Sequence, residues 1–353
     1  MPRLRLALVA LAVIVGLSWQ PVVRPALQAL VVIGDLFSPT LLGTNVIAWV
    51  TPEPRVSEGQ ATLAGVSMRV TTWRPAWGDR HPGLMLVNGA TPAGNANTAT
   101  RQLGAALARA GYLVMLPEFP FLRDGRFDPA ATQQVDAAYA ALRTLPETSD
   151  RPTGAFGSSV GGGALLSAAG REPALRSAAY LVVLGAYFDL DTYLASVATA
   201  SQLRGGRIEP WLPSAETRDR LPSAAIESVP AAERPRLAEA LSAPTYEEAL
   251  RRIRALPAAS RDVFDALSPE QTWVGVRQSP VYWIHDPDDT YEPLAEANAA
   301  AAAPRAGTVA LMVPRVVSHA VPSESARLAG PLFVIGELWA LISYTVGILR
   351  VAG

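Results

Sequence analysis

Cysteine is absent from the 353-residue chain. This absence excludes disulfide bonds, a thiol nucleophile and any metal site built on thiolates, and it leaves the redox state of the compartment open. Histidine is nearly as scarce, because the chain contains only His81, His285 and His319. Any reaction that needs an imidazole as general base must therefore use one of these three residues.

Charged residues are also few, at 17% of the chain, and they nearly cancel to a formal net charge of -1. The basic residues form no dense block, so the chain lacks the positive field that attracts nucleic acid. Hydrophobic residues make up 50% of the chain and the mean hydropathy is +0.19. This composition is more apolar than that of a typical cytosolic protein and predicts contact with a membrane, with no nucleic-acid partner.

The N-terminal part of the chain has the pattern of an export signal or an anchor. Arg3 and Arg5 precede an apolar run, Leu6–Trp19, which has the length of a signal-peptide core. No small-x-small cleavage site follows, and a second apolar stretch comes at Ala26–Phe37. We therefore predict that residues 1–40 form an uncleaved, signal-like anchor.

At the other end, Pro331–Leu349 is almost wholly apolar, with Glu337 as the one costly residue for a membrane span. Two alternatives are open: an amphipathic helix that covers the sheet with Glu337 at the surface, or a transmembrane helix. In the second case, Arg3, Arg5 and Arg350 would lie inside, which favours a membrane-anchored protein with the domain between them on the extracytoplasmic side. If the two apolar stretches within residues 6–37 formed a short re-entrant pair, the domain would remain in the cytoplasm. A secreted protein is the alternative to an anchored one.

Between these ends, the hydrophobic pattern predicts an α/β fold with a mostly parallel, twisted sheet flanked by helices. Gln60–Arg74 alternates around a central glycine, as a pair of antiparallel strands does. Farther along, short apolar runs alternate with helical patterns, which is typical of parallel strands joined by crossover helices. The predicted strands are Leu84–Val87, Tyr112–Leu116, Thr153–Phe156, Ala179–Leu184, Val281–Ile284 and Val309–Val313, and the predicted helices are Thr98–Ala110, Ala131–Leu145 and Pro293–Ala302.

One long stretch interrupts this alternation. From about Asp191 to Thr272 the chain has helical patterns and no convincing strand, which predicts a helical cap inserted between two strands of the sheet. The predicted divisions are the apolar segment at 1–40, an α/β core at 55–190 and 273–328, the cap at 191–272, and an apolar C-terminal helix at 329–353.

A glycine-rich segment lies where a predicted strand meets a predicted helix, and it contains the pattern Gly157-x-Ser159-x-Gly161. A turn tight enough to expose a nucleophile imposes strained dihedral angles, and the residues two places away must lack a Cβ. Ser159 is therefore the candidate nucleophile. The alternative is a glycine-rich helix start packed closely on the sheet, with the serines acting only as caps.

Among the three histidines, the position of His319 favours it as the base. His319 follows the last predicted strand and so lies at the carboxyl edge of the sheet, the same edge as Ser159. His285 ends the preceding strand, where a structural role is expected, and His81 leads into a strand at the opposite edge. The loop after His285 supplies several carboxylates that could orient the base, namely Asp286, Asp288, Asp289 and Glu292.

With these residues in place, roughly residues 60–325 resemble the α/β-hydrolase family. The shared features are a nucleophile elbow, then an acid, then a histidine, in that order, with a cap after the strand that follows the elbow. The family's acid loop often runs His-Gly-x-x-Asp-x-x-Val-Pro. This pattern implies that Asp289 is the acid, with Asp286 as second choice, while Asp286 replaces the glycine and Glu292 the valine.

The resemblance also implies an oxyanion hole made of two backbone amides. One is that of Val160, directly after the nucleophile. The other comes from the turn after Leu84–Val87, where Asn88-Gly89 stands in place of the family's usual His-Gly, so the donor is expected to be Ala90 N–H, or else Thr91 N–H.

The expected function is that of a serine hydrolase of carboxylic-ester type, which works through a Ser159–His319–Asp289 triad and an acyl-enzyme. The resemblance implies no metal and no cofactor, and the apolar chain favours an apolar ester or acyl substrate. The alternative from another class is a membrane-tethered, non-catalytic binding module of the same fold. Transport is excluded because two or three apolar segments are too few for a pathway.

Overall fold

The structure is a computed structural model that describes residues 22–305, 307–319, 321–323 and 328–352. The predicted apolar run Leu6–Trp19 lies outside the described residues. The strands are β1 Arg55–Leu63, β2 Val66–Arg74, β3 Gly83–Val87, β4 Leu113–Pro117, β5 Thr153–Ser158, β6 Leu181–Leu184, β7 Ser201–Arg204, β8 Arg207–Pro210, β9 Val281–Ile284, β10 Val309–Met312, β11 Val317–Ser318 and β12 Val321–Pro322. The helices are α1 Arg24–Leu42, α2 Ile47–Val50, α3 Thr98–Arg109, α4 Pro120–Arg123, α5 Ala131–Arg143, α6 Ser159–Arg171, α7 Leu190–Thr199, α8 Ala215–Ser228, α9 Arg234–Leu241, α10 Tyr246–Arg254, α11 Ala258–Leu267, α12 Pro269–Thr272, α13 Leu294–Ala302 and α14 Pro331–Val351.

Eight strands form one sheet in the order β1-β2-β4-β3-β5-β6-β9-β10. β2 pairs antiparallel with both β1 and β4, and the other neighbours pair parallel, so β2 alone runs in the opposite direction. The parallel strands follow one another through crossover helices, and the carboxyl ends of β3, β5, β6, β9 and β10 therefore meet at one edge. The predicted parallel sheet with an antiparallel margin is confirmed.

Helices cover both faces of the sheet, because parallel strands such as β3 and β4 are apolar and buried at every position and so must be covered on both sides. On one face, α5, α6 and the cap pack on the strands around residues such as Tyr139, Leu165 and Trp283. On the other face, α3 packs together with α1 and α14 over Leu86 and Val182. Ser159 lies at the end of the central strand β5, between these two layers.

The cap is the segment between β6 and β9, and it contains α7 to α12. The expectation that it holds no strand is wrong, because β7 and β8 form an antiparallel hairpin there. Its turn is Gly205-Gly206, with φ of +57° and +77°, a conformation that glycine adopts without strain. The strands carry few apolar residues, so their hydrophobic pattern is weak and the Gly-Gly pair was the available signal.

Both terminal helices lie against the domain and contact each other. The buried Asp35 of α1 pairs with Arg109 of α3 at 3.2 Å, and Gln28 donates to the carbonyl of Ala110 at 2.7 Å. In α14, the hydroxyl of Tyr344 donates to the carbonyl of Ala310 in the edge strand at 2.6 Å. Half-buried Glu337 accepts a hydrogen bond from Arg315 N–H at 2.7 Å.

The outer faces of these two helices are nevertheless apolar and exposed. Each helix is long and apolar enough to cross a membrane by its length and composition. The exposed side chains include Leu27 and Leu30 on α1 and Leu332, Ile335 and Trp339 on α14. The terminal helices thus combine an inner face that packs on the sheet with an outer face that carries exposed apolar side chains.

Candidate active site

Ser159 lies on the tight turn between β5 and α6, with a backbone φ of +53°. Positive φ is unfavourable for a residue with a Cβ, so close packing on both sides must hold this conformation. A Cβ at Gly161 would overlap the carbonyl oxygen of Asn88, and a Cβ at Gly157 would lie 2.7 Å from the Cα of Gly162. The two glycines that the sequence singled out are therefore required by the close approach of the β3 turn and of α6.

His319 and Asp289 form a buried pair beside this turn. Nδ1 of His319 lies 2.8 Å from Oδ2 of Asp289, and its ring stacks on that of Tyr291 with centroids 4.4 Å apart. Asp289 Oδ1 accepts hydrogen bonds from the amides of Tyr291 at 2.7 Å and Glu292 at 3.2 Å. These contacts fix both the carboxylate and the plane of the imidazole.

Glu292 stands between the serine and the histidine. The Ser159 hydroxyl donates to Glu292 Oε1 at 2.6 Å, and Glu292 Oε2 lies 3.4 Å from His319 Nδ1. Among the described residues, the Ser159 hydroxyl makes its hydrogen bond to Glu292 and not to His319. The structure thus brings all three predicted residues into one cluster, joined through Glu292, one of the four carboxylates of the acid loop.

Other candidates from the sequence fall around this cluster. Asp286 is buried and its Oδ2 accepts a hydrogen bond from the His319 backbone amide at 3.1 Å, so it holds the histidine loop and not the imidazole. Asp288 is exposed. His285 is buried with Nε2 3.0 Å from the Glu292 carbonyl oxygen, and His81 lies at the amino end of β3, the opposite edge.

The expected oxyanion donors lie on both sides of Ser159. Val160 is in the first turn of α6, where a backbone amide has no acceptor within the helix. Ala90 follows the β3 turn, which approaches Ser159 so closely that a Cβ at Gly89 would be 3.1 Å from the serine Cβ. Asn88 holds this turn, because its Nδ2 donates to the Gly94 carbonyl at 3.0 Å while its Oδ1 accepts from Gly89 N–H at 3.1 Å.

The buried charges shift one another's pKa. Burial raises the pKa of Glu292 to about 8, and the negative charge of Asp289 adds to this effect. Burial alone would lower the pKa of His319, but the carboxylates of Glu292 and Asp289 oppose it and raise the pKa to about 9. Although burial also disfavours the charged form of Asp289, its hydrogen bond with His319 keeps the pKa of this carboxyl below its usual value.

Asp289, Glu292 and His319 also form a group whose ligand atoms all lie within 4.8 Å of one another, as the ligands of a metal ion would. The 2.8 Å separation of His319 Nδ1 and Asp289 Oδ2 is that of a hydrogen bond. The geometry is accounted for by hydrogen bonding between an imidazole and a carboxylate.

A cavity of about 1300 Å³ opens beside Ser159 and His319. Its walls come from the β3 turn, from α8 of the cap, and from the terminal helices α1 and α14. The cavity therefore gives the candidate nucleophile access to a bound molecule.

Two further residues of this site were not found from the sequence. Tyr193 of the cap helix α7 donates to the Tyr291 carbonyl at 2.8 Å, and its hydroxyl oxygen lies 3.5 Å from Glu292 Oε1. Gly185, with φ of +53°, passes so close that a Cβ there would lie 3.0 Å from both Asp289 Oδ2 and His319 Nδ1. The sequence signal for Glu292 was its departure from the valine of the family pattern.

No protein-family model matches the chain, and no curated protein matches its sequence. Solved structures do match its fold. A 2,6-dihydroxy-pseudo-oxynicotine hydrolase is 18% identical with a TM-score of 0.53, over 85% of this chain and 70% of that chain. The acylaminoacyl peptidase of Pyrococcus horikoshii is 12% identical with a TM-score of 0.52, over 85% of this chain and 42% of that chain. The protein DcsB, solved with its substrate analogue, is 15% identical with a TM-score of 0.51, over 85% of this chain and 100% of that chain. Similarity at this level shows the fold alone.

Proposed function

Starting from the α/β-hydrolase fold that the chain has, we propose that this protein is a serine hydrolase that cleaves carboxylic esters through Ser159, His319 and Asp289. One observation carries the proposal. A serine held at positive φ on the strand-to-helix turn has its hydroxyl bonded into a buried cluster that also contains a hydrogen-bonded His–Asp pair. Strained nucleophile geometry next to an oriented base is the arrangement that acyl transfer needs.

In the proposed acylation, the Ser159 hydroxyl leaves Glu292 and turns toward His319. Oγ forms a bond to the ester carbonyl carbon while its proton passes to Nε2 of His319, and Asp289 holds the Nδ1 proton in place. The amides of Val160 and Ala90 donate to the carbonyl oxygen as it becomes negative. Collapse of this intermediate breaks the bond to the alcohol oxygen, which takes the proton from His319.

Deacylation repeats these steps with water. His319 accepts a proton from a water molecule that attacks the acyl carbon, and the carboxylic acid leaves as the proton returns to Ser159. No step requires a metal or a cofactor. Glu292 acts in this scheme as a positioning residue that holds the nucleophile's proton at rest and sets the charge beside His319.

An ester of an apolar acid is the preferred substrate class. The fold also serves peptidases, as the name of the Pyrococcus horikoshii protein indicates, so fold alone leaves the choice between ester and peptide open. The support for an ester is the cavity, because much of its wall consists of apolar side chains from the sheet and from α1 and α14. An apolar wall binds alkyl groups well and leaves the polar groups of a peptide unpaired.

We also place the protein at a membrane, with the catalytic domain on the extracytoplasmic side and a secreted form as the alternative. The support is the exposed apolar face of α1 and α14 together with the apolar sequence Leu6–Trp19 that precedes them. The side of the membrane rests on the positive-inside rule applied to Arg3 and Arg5, because α14 with Arg350 packs on the domain itself.

Labelling with a fluorophosphonate probe tests the proposed chemistry, because the probe reacts with activated serines. We expect the purified wild type and Ser158→Ala to be labelled, Ser159→Ala to be unlabelled, and His319→Ala to react much more slowly. A folded wild type that is never labelled would contradict catalysis and favour the non-catalytic binding module. Equal labelling of Ser159→Ala and wild type would place the nucleophile elsewhere.

A further inference from the structure

The cavity beside Ser159 continues as an apolar arm along one face of the sheet. The arm runs beneath the terminal helices, with Leu86, Val182 and Leu184 of β3 and β6 as its floor and Ile33, Leu341 and Ile348 of α1 and α14 as its roof. Val182 and Leu184 are two residues apart on one strand, so both side chains point to the same face. The floor is therefore a continuous apolar strip that ends next to the nucleophile.

This arm is a space that ordinary core packing would fill. Leu86 and Val182 are buried, and the same residues belong to the hydrophobic cluster that α1 and α14 cover. Protein interiors are close-packed, with few voids larger than a water molecule, and an apolar void holds water poorly. A long apolar arm beneath two helices thus has the form of a binding site for an alkyl chain.

The opposite side of the cavity is different in character. Here the wall is formed by α8 of the cap, by α4 and by the segment after α4. These elements contribute the charged residues Glu216, Arg220, Arg123 and Arg126 beside apolar ones such as Phe127 and Leu221. Ser159 and His319 lie where the charged and the apolar parts meet. A molecule that fills both parts must be amphiphilic, with its ester group at the boundary between its polar end and its chain.

The length of the arm sets the length of the chain. From Tyr180, directly before β6, to Leu184 at its end, both of which line the cavity, the extended chain advances about 13 Å, which matches an alkyl chain of about ten carbons. We assign the alkyl chain to the acid part of the ester and not to the alcohol part. The arm is covered by the terminal helices, so the group that it holds cannot leave first, whereas the charged side of the cavity lies next to the cap and lets the alcohol out. After acylation, a polar alcohol can leave through the charged side while the acyl chain stays in the arm.

The outer faces of the same helices are exposed and apolar, at Leu27, Leu30, Ile335 and Trp339 among others. The roof of the arm is therefore also the surface best suited to contact lipid, where single-chain amphiphiles concentrate. We infer that the substrate is a single-chain amphiphile, an ester of a fatty acid of about ten or more carbons with a polar alcohol, whose chain occupies the arm between the sheet and α1 and α14. This inference rests on the proposed function and names its substrate class.

Kinetics of the full-length protein in detergent test the inference with p-nitrophenyl acetate, butyrate and laurate. We expect kcat/KM to rise at least about a hundredfold from butyrate to laurate, because each buried methylene adds to binding in the transition state. Val182→Trp, which fills the floor, should lower the ratio of kcat/KM for laurate to kcat/KM for acetate by about tenfold or more. The control is Ile335→Trp, which adds the same ring on the outer face of α14 and should change neither value.

A second measurement needs no substitution and so remains decisive if Val182→Trp fails to fold. A long-chain alkyl fluorophosphonate with a diazirine at the chain end should label Ser159 and, on illumination, crosslink to peptides of β6 or α14. Crosslinks confined to the cap, or a flat chain-length profile with active acetate turnover, would overturn the inference and leave the proposed function intact. Cleavage of dodecyl acetate in preference to p-nitrophenyl laurate would overturn the assignment of the chain to the acid. Absence of both labelling and acetate turnover would instead contradict the proposed function.

Discussion

The hydroxyl of Ser159 donates a 2.6 Å hydrogen bond to Oε1 of Glu292, whose other oxygen lies 3.4 Å from Nδ1 of His319. A fully buried carboxylate thus touches both the candidate nucleophile and the candidate base. Its charge favours the protonated form of His319, which cannot accept the proton of the serine. In the proposed mechanism, the protonation of this cluster therefore controls when Ser159 can react.

This relationship predicts an alkaline activity profile. The pKa of His319 is raised to about 9, so the neutral imidazole increases with pH and kcat/KM for p-nitrophenyl acetate should rise up to about that pH. Glu292→Gln removes a neighbouring negative charge and so lowers the pKa of His319. The rise of kcat/KM with pH should therefore occur at lower pH in this variant. The measurement is the pH dependence of kcat/KM for both proteins.

The matched control is Glu296→Gln. Glu296 is another buried carboxyl whose pKa burial raises to about 7, but it accepts hydrogen bonds from the amides of Phe188 and Asp189. Its replacement should not change the pH at which kcat/KM rises. Complete loss of activity in Glu292→Gln at every pH would contradict the scheme and make Glu292 itself the proton acceptor.

The two carboxylates of the acid loop should differ in their effect on the rate. Asp289→Asn removes the acceptor for the Nδ1 proton, and by analogy with other serine triads kcat should fall by roughly a thousandfold or more. Asp286→Asn weakens hydrogen bonds from the backbone amides of His319 and Asp288 and touches no contact of the imidazole, so we expect a loss of about tenfold or less. Steady-state kinetics with p-nitrophenyl butyrate distinguish them, and a larger effect at Asp286 would reverse the assignment.

Much of the fold could be predicted from the sequence because its strands are short, continuous apolar runs. Val281–Ile284 was predicted with the bounds that the structure has, and Thr98–Ala110 differs from α3 by one residue. β1 begins earlier than expected, at Arg55, because its residues are exposed and carry little hydrophobic pattern. The hairpin in the cap escaped prediction for the same reason.

The sequence predicts those site residues whose position follows from the order of the strands, but not those placed by loop conformation or by the packing of the cap. Ser159, Asp289 and His319 follow from one strand end each, and the structure brings them together as a cluster. The role of Glu292 depends on which side chain the loop turns inward. The contact of Tyr193 depends on where the cap helix lies, which no local pattern encodes.

The elbow glycine Gly161 should be sensitive to the smallest side chain. Because a Cβ there would overlap the Asn88 carbonyl oxygen, Gly161→Ala must displace the β3 turn, and we expect a loss of about 1–3 kcal/mol in the free energy of unfolding together with a lower kcat. Urea unfolding measures the stability. Gly59→Ala, where the new Cβ would meet nothing within 4 Å, is the control and should not destabilise the protein.

The apolar outer face of α14 should contribute to membrane binding. Replacing Leu332, Ile335 and Trp339 by serine removes apolar area worth about 1.5–3 kcal/mol per fully buried side chain, so sedimentation with lipid vesicles should fall markedly. The control replaces Leu203, Ile208 and Leu212 of the cap, which are also exposed. Equal binding by the two triple variants would contradict a specific role for α14.

In the proposed mechanism Ser159 carries an acyl group during turnover, and this group can be trapped. Wild type is mixed with p-nitrophenyl butyrate, quenched in acid within the first turnovers, digested and mapped by mass spectrometry. We expect a butyryl group on the peptide that contains Ser159, and none in Ser159→Ala. An acyl group on another residue, or full turnover by Ser159→Ala, would contradict it.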